Sequence, residues 1–360
     1  MSELLTTPLH AWHKNNGARM VPFAGWDMPV QYVGILEEHK QTRTRASIFD
    51  ISHMGEFLLE GAGATEALAR IVTHNLATLA PGKCRYGFLL NERGGVLDDL
   101  IVYRLAEERY MLVVNGACID SDFAWIGRHL PEGLVFVNQS FEIAKIDLQG
   151  PESFDVLCRA LPGDWAGLGY FGFRETEVDG FTLLVSRTGY TGELGYEFYL
   201  PWDKAQVLWD RLMADEAVRP AGLGARDTLR LEVGLPLYGQ DLDTEHTPVE
   251  AGYGAMLKSE AEFIGKAGLE TVRERLIGLR IDGRRSARHY DEVFVGEDKV
   301  GVVTSGSIAP SLGYCVAMAY VRADAADTAE FTVKGPRTSL AAVRADMPFF
   351  TAGTARRKLG

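Results

Sequence analysis

The hydrophobic and polar positions of residues 94–105, GGVLDDLIVYRL, alternate as in a β-strand, yet the run carries two adjacent aspartates. Because successive side chains of a strand point to opposite faces, Asp98 shares a face with Val96, and Asp99 shares the other with Ile101. The two carboxylates therefore cannot act together as a catalytic dyad. Burying an unpaired polar group costs about 2–7 kcal/mol, so the protein or a ligand must supply each carboxylate with a partner.

The surrounding pattern predicts an antiparallel meander over residues 84–114, with the aspartate-bearing strand in the middle. A second hairpin is predicted over residues 174–200, with its turn at Asp179-Gly180. From about residue 276, short apolar runs alternate with Gly, Asp and Ser turns, which indicates a separate all-β domain. Hairpins outnumber strand–helix–strand units. The pattern therefore predicts an α+β protein with mainly antiparallel sheets.

Composition and charge narrow the class of protein. The 360 residues are enough for two or three domains, and 46% of them are hydrophobic, as in a globular protein. The net charge is −12, from 37 basic and 49 acidic residues, so no overall basic field is available to hold nucleic acid or an anionic membrane. We expect neither as a partner.

The four cysteines are far apart and contain no C-x-x-C pair, so we expect reduced thiols and no metal site. The first residues, MSELLTTPLH, have neither a signal-peptide nor a transit-peptide pattern. No apolar run approaches the roughly 20 residues that cross a bilayer. These features predict a cytoplasmic protein without a membrane segment.

Glycine-rich segments give no support for a nucleotide site. Residues 61–66, GAGATE, and residues 222–227, GLGARD, begin like dinucleotide-binding loops, but neither has the third glycine or a clear strand–helix context. P-loop and G-x-S-x-G motifs are absent from the sequence. We expect no nucleotide cofactor.

Residues 186–198, SRTGYTGELGYEF, have a glycine at every third position from 189 to 195. This is either an ordinary long hairpin loop or a loop that holds Tyr190 and Glu197 at the mouth of a pocket. An aromatic face and a carboxylate suit a flat heterocycle with an amidine-like pair of N–H groups.

Residues 283–289, GRRSARH, form a basic patch on an acidic protein. Such a run is usually a solvated turn. The alternative is that it docks an acidic partner, because local charge complementarity steers association.

Six long segments occur in a fixed order between about residues 8 and 320: GARMVPFAGWDMPVQYVGI, FDISHMGEF, NERGGVLDDLIVYR, SRTGYTGELGYE, GLGARDTLRLEVGLPLYG and TSGSIAPSLGYCVAMAYV. Together they closely resemble the aminomethyltransferase, or T-protein, family of the glycine cleavage system. The resemblance implies a three-domain cloverleaf of mainly antiparallel sheets with flanking helices, a C-terminal all-β barrel-like domain and a central folate-binding cleft.

The expected domains are residues 1–52 with 139–225, residues 53–138 with 226–275, and residues 276–360. The second of them carries the strand with the two aspartates. The resemblance also implies a reaction in which the aminomethyl group on the lipoyl arm of the H-protein passes to tetrahydrofolate. Ammonia is released and methylenetetrahydrofolate is formed. Tetrahydrofolate is then a co-substrate, and lipoylated H-protein is the protein partner.

The resemblance assigns site residues one by one. The first aspartate of the DDLIV strand, Asp98, is expected to face the folate as the catalytic carboxylate, either as a proton acceptor or through its charge, while Asp99 is structural. Arg288 is expected to help dock the H-protein, near residues 287–293 and 304–313. The expected folate-binding residues are Tyr86, Asn115, Tyr190, Glu197, Arg226 and Tyr238.

Two alternatives remain open at the level of sequence. A folate-dependent demethylase could use the same scaffold, although both aspartates of LDDLIV favour aminomethyl transfer. A non-catalytic folate-binding protein that assists iron–sulfur assembly would need a reactive cysteine, for which Cys84 in KCRYG is the candidate.

Overall fold

The fold is built from three sheet units, and the computed structural model of the protein describes residues 3–359. The α-helices of this part of the chain are α1 (His10–Asn15), α2 (Ile35–Thr44), α3 (Ala64–Ala69), α4 (Ile119–His129), α5 (Ser153–Ala160), α6 (Ala205–Met213) and α7 (Leu223–Glu232). Among the described residues, no helix combines the length and apolar character needed to span a membrane.

The strands, numbered in chain order, are β1 (Arg19–Phe23), β2 (Trp26–Gln31), β3 (Ala46–Asp50), β4 (Gly55–Glu60), β5 (Lys83–Leu90), β6 (Val96–Ala106), β7 (Arg109–Val114), β8 (Val135–Asn138), β9 (Ile143–Gln149), β10 (Phe173–Val178), β11 (Phe181–Ser186), β12 (Gly195–Pro201), β13 (Val218–Pro220), β14 (Glu274–Ile281), β15 (Glu292–Val295), β16 (Asp298–Ala309), β17 (Tyr314–Arg322), β18 (Glu330–Gly335) and β19 (Thr338–Ala345). Strands β1 and β2 form a separate two-stranded ribbon near the start of the chain.

The first sheet has six strands in the order β10-β11-β12-β9-β3-β13, and only β13 runs parallel to its neighbour. The predicted hairpin is confirmed, because Asp179 and Gly180 connect β10 to β11 with φ values of +49° and +82°. Positive φ at both turn residues matches the right-handed twist of the two strands. One face of the sheet packs under α5 and α6 through residues such as Leu157 and Trp209.

The second sheet has five strands in the order β5-β6-β7-β4-β8, which confirms the predicted meander with the aspartate strand in its middle. Burial alternates along β6, as the pattern of the sequence requires. The face that carries Leu100 and Val102 forms a core with Ile119 and Ile126 of α4. This helix therefore covers one face of β6 and leaves the other toward the first sheet.

The third unit is a closed barrel with the strand order β14-β17-β16-β15-β18-β19, and it confirms the all-β region predicted near the C-terminus. Closure satisfies the strand edges that an open sheet would expose. The barrel begins at Glu274, two residues before the predicted position 276. The exact domain bounds remain a prediction, and residues 1, 2 and 360 lie outside the described residues.

Helix α7 and the C-terminal segment connect the units. Arg230 of α7 donates to Asp241 Oδ2 (2.6 Å) and to Ser305 Oγ of the barrel (2.9 Å). After the barrel, the chain returns to the first unit, where Thr354 Oγ1 donates to Glu193 Oε2 (2.5 Å). These contacts hold the barrel against the unit that carries residues 186–198.

Candidate active site between the first and second sheets

The uncovered face of β6 points toward the first sheet. Asp99 lies on this face with Tyr103, four residues away, which is about 13 Å along a strand. The Tyr103 hydroxyl donates to Ser186 Oγ (3.0 Å) and lies 2.9 Å from the Tyr199 hydroxyl, and both of these residues belong to the first sheet. Asp99 is therefore placed between the two sheets, at the opposite end of this face from the Tyr103 contact.

Asp99 is partly exposed and has two hydrogen-bond donors. Its Oδ2 accepts from the Tyr86 hydroxyl (3.0 Å) and its Oδ1 accepts from Asn115 Nδ2 (2.9 Å). Burial, followed by the neighbouring charge of Asp98, raises the pKa of Asp99 to about 7. A carboxyl group with this pKa can take up and release a proton near neutral pH.

Asp98 lies on the other face of the strand, where it is fully buried against α4. Its Oδ2 accepts from the Asn115 backbone N–H (2.9 Å) and its Oδ1 from Asn115 Nδ2 (2.8 Å). The expectation that Asp98 faces the ligand stays a prediction, but the structure gives the partly exposed position, on the face toward the first sheet, to Asp99. The alternation was right, but the face that α4 covers is the face of Asp98.

A group of two carboxylates and a thiol lies behind this strand. Ligand-type atoms of Asp98, Cys118 and Asp122 all lie within 4.8 Å of one another, and all three residues are buried. Both oxygens of Asp98 are already engaged by Asn115, and burial raises the pKa of the Cys118 thiol, which keeps it neutral. We therefore interpret the group as a hydrogen-bonded cluster and assign no metal ion to it.

Tyrosines surround the exposed side of Asp99. The rings of Tyr86 and Tyr253 lie 5.9 Å apart, and the Tyr190 hydroxyl donates to the Pro236 carbonyl. Burial raises the pKa of Tyr238, and the nearby Cys118 and Asp98 of the buried cluster add to the effect. Sequence reasoning missed Tyr253, because it lies in an irregular loop without periodicity.

Across from Asp99, the first sheet presents Glu197 on β12. Together with Lys145, Asp147 and Arg226 it forms what we call the facing wall. Glu197 is buried, its Oε2 accepts from Thr188 Oγ1 (2.5 Å), and its Oε1 lies 3.3 Å from Lys145 Nζ. Burial by itself raises the pKa of Glu197, but the Lys145 charge and the Thr188 hydroxyl outweigh burial and lower it. Glu197 is therefore a permanent carboxylate. Lys145 was missed by the sequence analysis, although a lysine within the apolar run IAKIDLQ was a usable signal.

Asp147 lies directly opposite Glu197 in the pairing of β9 with β12. Arg226 Nη1, in the first turn of α7, donates to Asp147 Oδ2 (2.7 Å), and the Arg226 guanidinium lies 4.8 Å from the centre of the Tyr190 ring. Burial raises the pKa of Asp147 to about 7 despite the opposing effect of Arg226. On this wall, each of the two carboxylates therefore lies beside a cation, Glu197 beside Lys145 and Asp147 beside Arg226.

The structure brings six of the predicted ligand residues to this region in two groups. Tyr86, Asn115 and Tyr238 adjoin the aspartates, while Tyr190, Glu197 and Arg226 are connected through the facing wall. The arrangement can bind a flat, polar ring system by one permanent carboxylate and present a second, proton-exchanging carboxylate to it.

Comparison with known proteins identifies the family. The model described as "GCVT N-terminal domain" matches residues 9–261, and the model described as "Glycine cleavage T-protein C-terminal barrel domain" matches residues 274–351. The chain belongs to the glycine cleavage T-protein family.

Curated relatives of this T-protein family carry the name Aminomethyltransferase. One from Halothermothrix orenii is 45% identical over 333 residues, covering 90% of this chain and 93% of the relative. Another, from Bacillus cereus (strain AH187), is 40% identical over 364 residues, covering 97% and 99%. The solved glycine cleavage system aminomethyltransferase T from Bartonella henselae is 36% identical, with a TM-score of 0.91 over 98% of this chain and 99% of that one. The chain is therefore an enzyme of the aminomethyltransferase class.

The remaining predicted residue, Arg288, lies on the barrel in the T-protein fold. Its side chain is exposed in the connection between β14 and β15, and its backbone N–H donates to Asp291 Oδ2 (2.8 Å). Its described contacts are local, so the structure does not bring it to the two walls. The neighbouring Tyr290 is 75% exposed and gives this loop an aromatic group at its surface.

Cys84, the thiol considered for the iron–sulfur alternative, is buried in the layer between the two sheets. Burial raises the pKa of its thiol to about 12, so it carries little reactive thiolate at neutral pH. This position does not favour a non-catalytic redox-linked role in this member of the T-protein family.

Proposed function

We propose that the enzyme transfers the aminomethyl group from the lipoyl arm of a glycine cleavage H-protein to tetrahydrofolate, with release of ammonia and formation of methylenetetrahydrofolate. Membership of the family supports this reaction. The observation that carries the residue assignment is the placement of Asp99, a carboxyl group whose pKa burial raises to about 7, on the sheet face opposite the ionised Glu197.

Glu197 binds the pterin ring of the folate. A carboxylate has about four lone-pair positions, and in this structure Thr188 and Lys145 engage only some of them. The remaining positions suit the adjacent N–H donors of an amidine-like ring edge, in charge-assisted hydrogen bonds. Tyr190, fixed by its hydroxyl and by the Arg226 guanidinium, packs beside that ring.

Asp99 handles the protons of the transfer. Two folate nitrogens each form a bond to the transferred carbon, while its bonds to ammonia and to the lipoyl sulfur break. The two nitrogens lose two protons, of which one ends on ammonia and the other on the dihydrolipoyl thiol. A carboxylate with a pKa near 7 can accept such a proton and return it, and its charge stabilises the cationic carbon.

Arg288 contributes to docking of the H-protein. It is exposed on an otherwise acidic protein, next to the exposed residues Arg284 and Arg285, and its side chain is not engaged in an ion pair within residues 3–359. A local basic patch of this kind attracts an acidic surface and raises the rate of association. The lipoyl arm would then reach the transfer site from the barrel side.

The test follows both products in one tube. Aminomethylated H-protein is mixed with the enzyme, with and without tetrahydrofolate, and ammonia and methylenetetrahydrofolate are measured together. We expect equal amounts of the two products, dependent on folate. Tight folate binding without release of either product would overturn the proposed reaction and favour a demethylase or a folate-binding protein instead.

A further inference from the structure

We propose that Asp98 and Asp122 hold a single proton between them and act as a positioning pair, fixing Asn115 so that its amide presents Asp99 to the substrate. The proposal rests on the proposed function only where it concerns substrate. The shared proton is a property of the buried cluster itself and can be measured without turnover.

The first support is the burial of two acids side by side. Asp98 and Asp122 are 0% and 1% exposed, and their oxygens lie within 4.8 Å of each other and of the Cys118 sulfur. Within residues 3–359, neither carboxyl group has an ion pair with a Lys, Arg or His side chain. Two adjacent ionised carboxylates in such a site repel each other strongly, so one of them keeps its proton.

The contacts place the proton on Asp122. Asn115 directs two N–H donors at Asp98, at 2.9 and 2.8 Å, and these favour its ionised form. One oxygen of Asp122, by contrast, has no hydrogen-bond partner among the described residues. Burial and then the charge of Asp98 raise the pKa of Asp122 to about 10. The protonated Asp122 can then donate to Asp98, which also accepts from Asn115 and lies beside the Cys118 thiol.

Asn115 transmits this arrangement to Asp99. Its amide nitrogen lies 2.8 Å from Asp98 Oδ1 and 2.9 Å from Asp99 Oδ1, so its two hydrogens are divided between the two carboxyl groups. The amide keeps this orientation as long as Asp98 remains an acceptor. A proton on Asp122 also limits the charge behind Asp99 to one carboxylate, which affects the pKa of Asp99 directly.

Other groups around the cluster must be considered when pH is varied. Cys118 at the start of α4 and Tyr238 after α7 face Asp98 and Asp122. Tyr86 of β5, Tyr190 of the loop before β12 and Tyr253 after α7 face Asp99 instead. Burial raises the pKa of each of them, so they stay neutral at pH 6–8, where the test is made. The acid limb in that range therefore reports on Asp99 and Asp147, whose pKa values burial raises to about 7, and a shift of the limb caused by a change at Asp98 or Asp122 is assigned to their neighbour Asp99.

The test compares Asp122→Asn with Asp122→Ala, and uses Asp120→Asn, an exposed neighbour on the same helical turn, as the matched control. We expect Asp122→Ala to lose about tenfold or more in turnover. Asparagine keeps a neutral donor toward Asp98, so we expect Asp122→Asn to retain most of the wild-type turnover. We also expect the acid limb of the Asp122→Asn profile to coincide with that of the wild type. A limb shifted by about one pH unit to lower values would show that Asp122 had been ionised, and would overturn the proposal.

An infrared measurement separates this proposal from the proposed reaction. At pH 9, above the pKa of about 7 of Asp99 and Asp147, the folate-free enzyme should show a protonated-carboxyl C=O band that loses intensity in Asp122→Asn and keeps it in Asp120→Asn. An unchanged band in Asp122→Asn would refute the shared proton whatever the enzyme transfers. If Asp122→Ala fails to fold, the infrared band and the Asp122→Asn profile still decide the question, and wild-type turnover in a folded Asp122→Ala would exclude the positioning role.

Discussion

The two sheets that face each other bury their carboxylates in different ways. On the first sheet, Glu197 is 3.3 Å from Lys145, and Asp147 is 2.7 Å from Arg226. On the second sheet and on α4, which covers it, three buried or partly buried aspartates have no cation partner within residues 3–359: Asp98, Asp99 and Asp122. One wall is therefore paired with cations and the other is not.

This difference assigns different chemistry to the two walls. A nearby cation opposes the effect of burial. Lys145 keeps Glu197 ionised, and a permanent charge is suited to binding, whereas at Asp147 burial outweighs Arg226. Burial without a cation raises the pKa instead, so the aspartate wall holds protons near neutral pH and is suited to proton transfer. The pKa of Glu197 is lowered, whereas that of Asp99 is raised to about 7.

Loss of the proton-exchanging carboxylate should have the largest effect. We expect Asp99→Asn to lower turnover by about 10²–10⁴-fold, with tetrahydrofolate affinity changed only slightly, because the amide cannot accept a proton. Ammonia release and calorimetric binding measure the two effects. Asp155→Asn, an exposed aspartate on α5, is the control, and wild-type turnover in Asp99→Asn would remove Asp99 from the reaction.

Removing the cation from the paired wall should destabilise the fold. Lys145→Met leaves Glu197 buried without its partner, and the expected loss is about 3–5 kcal/mol in the free energy of unfolding by urea. The double variant Lys145→Met/Glu197→Gln should recover part of that loss, because the uncompensated charge is gone. Additive effects of the two changes would show that the pair is not coupled.

Neutralising the binding carboxylate should weaken folate binding, and because it also leaves Lys145 buried without its partner, affinity is measured after urea unfolding has shown that the variant is folded. Glu197→Gln replaces two charge-assisted acceptors by one neutral carbonyl, so we expect tetrahydrofolate affinity to fall about 10- to 100-fold by calorimetry. Glu175→Gln, an exposed position on β10 of the same sheet, serves as the control. Equal affinities of the two variants would place the pterin elsewhere.

The pH dependence of kcat/KM should report the protonation of Asp99, on the wall without cations. Asp99 is active as the carboxylate, so kcat/KM should rise with pH through its pKa of about 7 and level off above it. Asp98→Asn removes the like charge that raises this pKa, and the acid limb should move to lower pH by about one pH unit. A limb that stays in place in Asp98→Asn would show that the two aspartates are not electrostatically coupled.

The smallest effect is expected outside both walls, at the basic patch of the barrel. Arg288→Glu should lower the association rate with H-protein by less than about tenfold, and the difference should shrink at high salt. Stopped-flow association at two ionic strengths measures this. Arg337→Glu, an exposed arginine elsewhere on the barrel, controls for net charge, and equal rates for both variants would exclude specific docking at Arg288.

The local pattern of the chain determined much of the structure. The period of two placed Asp98 and Asp99 on opposite faces, and the turn residues Asp179 and Gly180 fixed their hairpin, because both depend on neighbouring residues alone. The six ordered segments indicated the family, and the comparisons confirm it. The predicted ligand residues, with the exception of Asp98, gather at the two walls.

Only the tertiary structure decided which aspartate lies on the face of β6 toward the first sheet and which carboxylates have cations. Alternation separates the two faces of β6 but does not tell which of them a later helix will cover. In the structure, α4 covers the face of Asp98. The partners of the paired wall are equally non-local, since Arg226 is 79 residues from Asp147 and reaches it through α7. The pKa of each carboxyl group depends on burial and on such distant charges, so the division of the site into a binding wall and a proton-exchanging wall arises only when the sheets pack together.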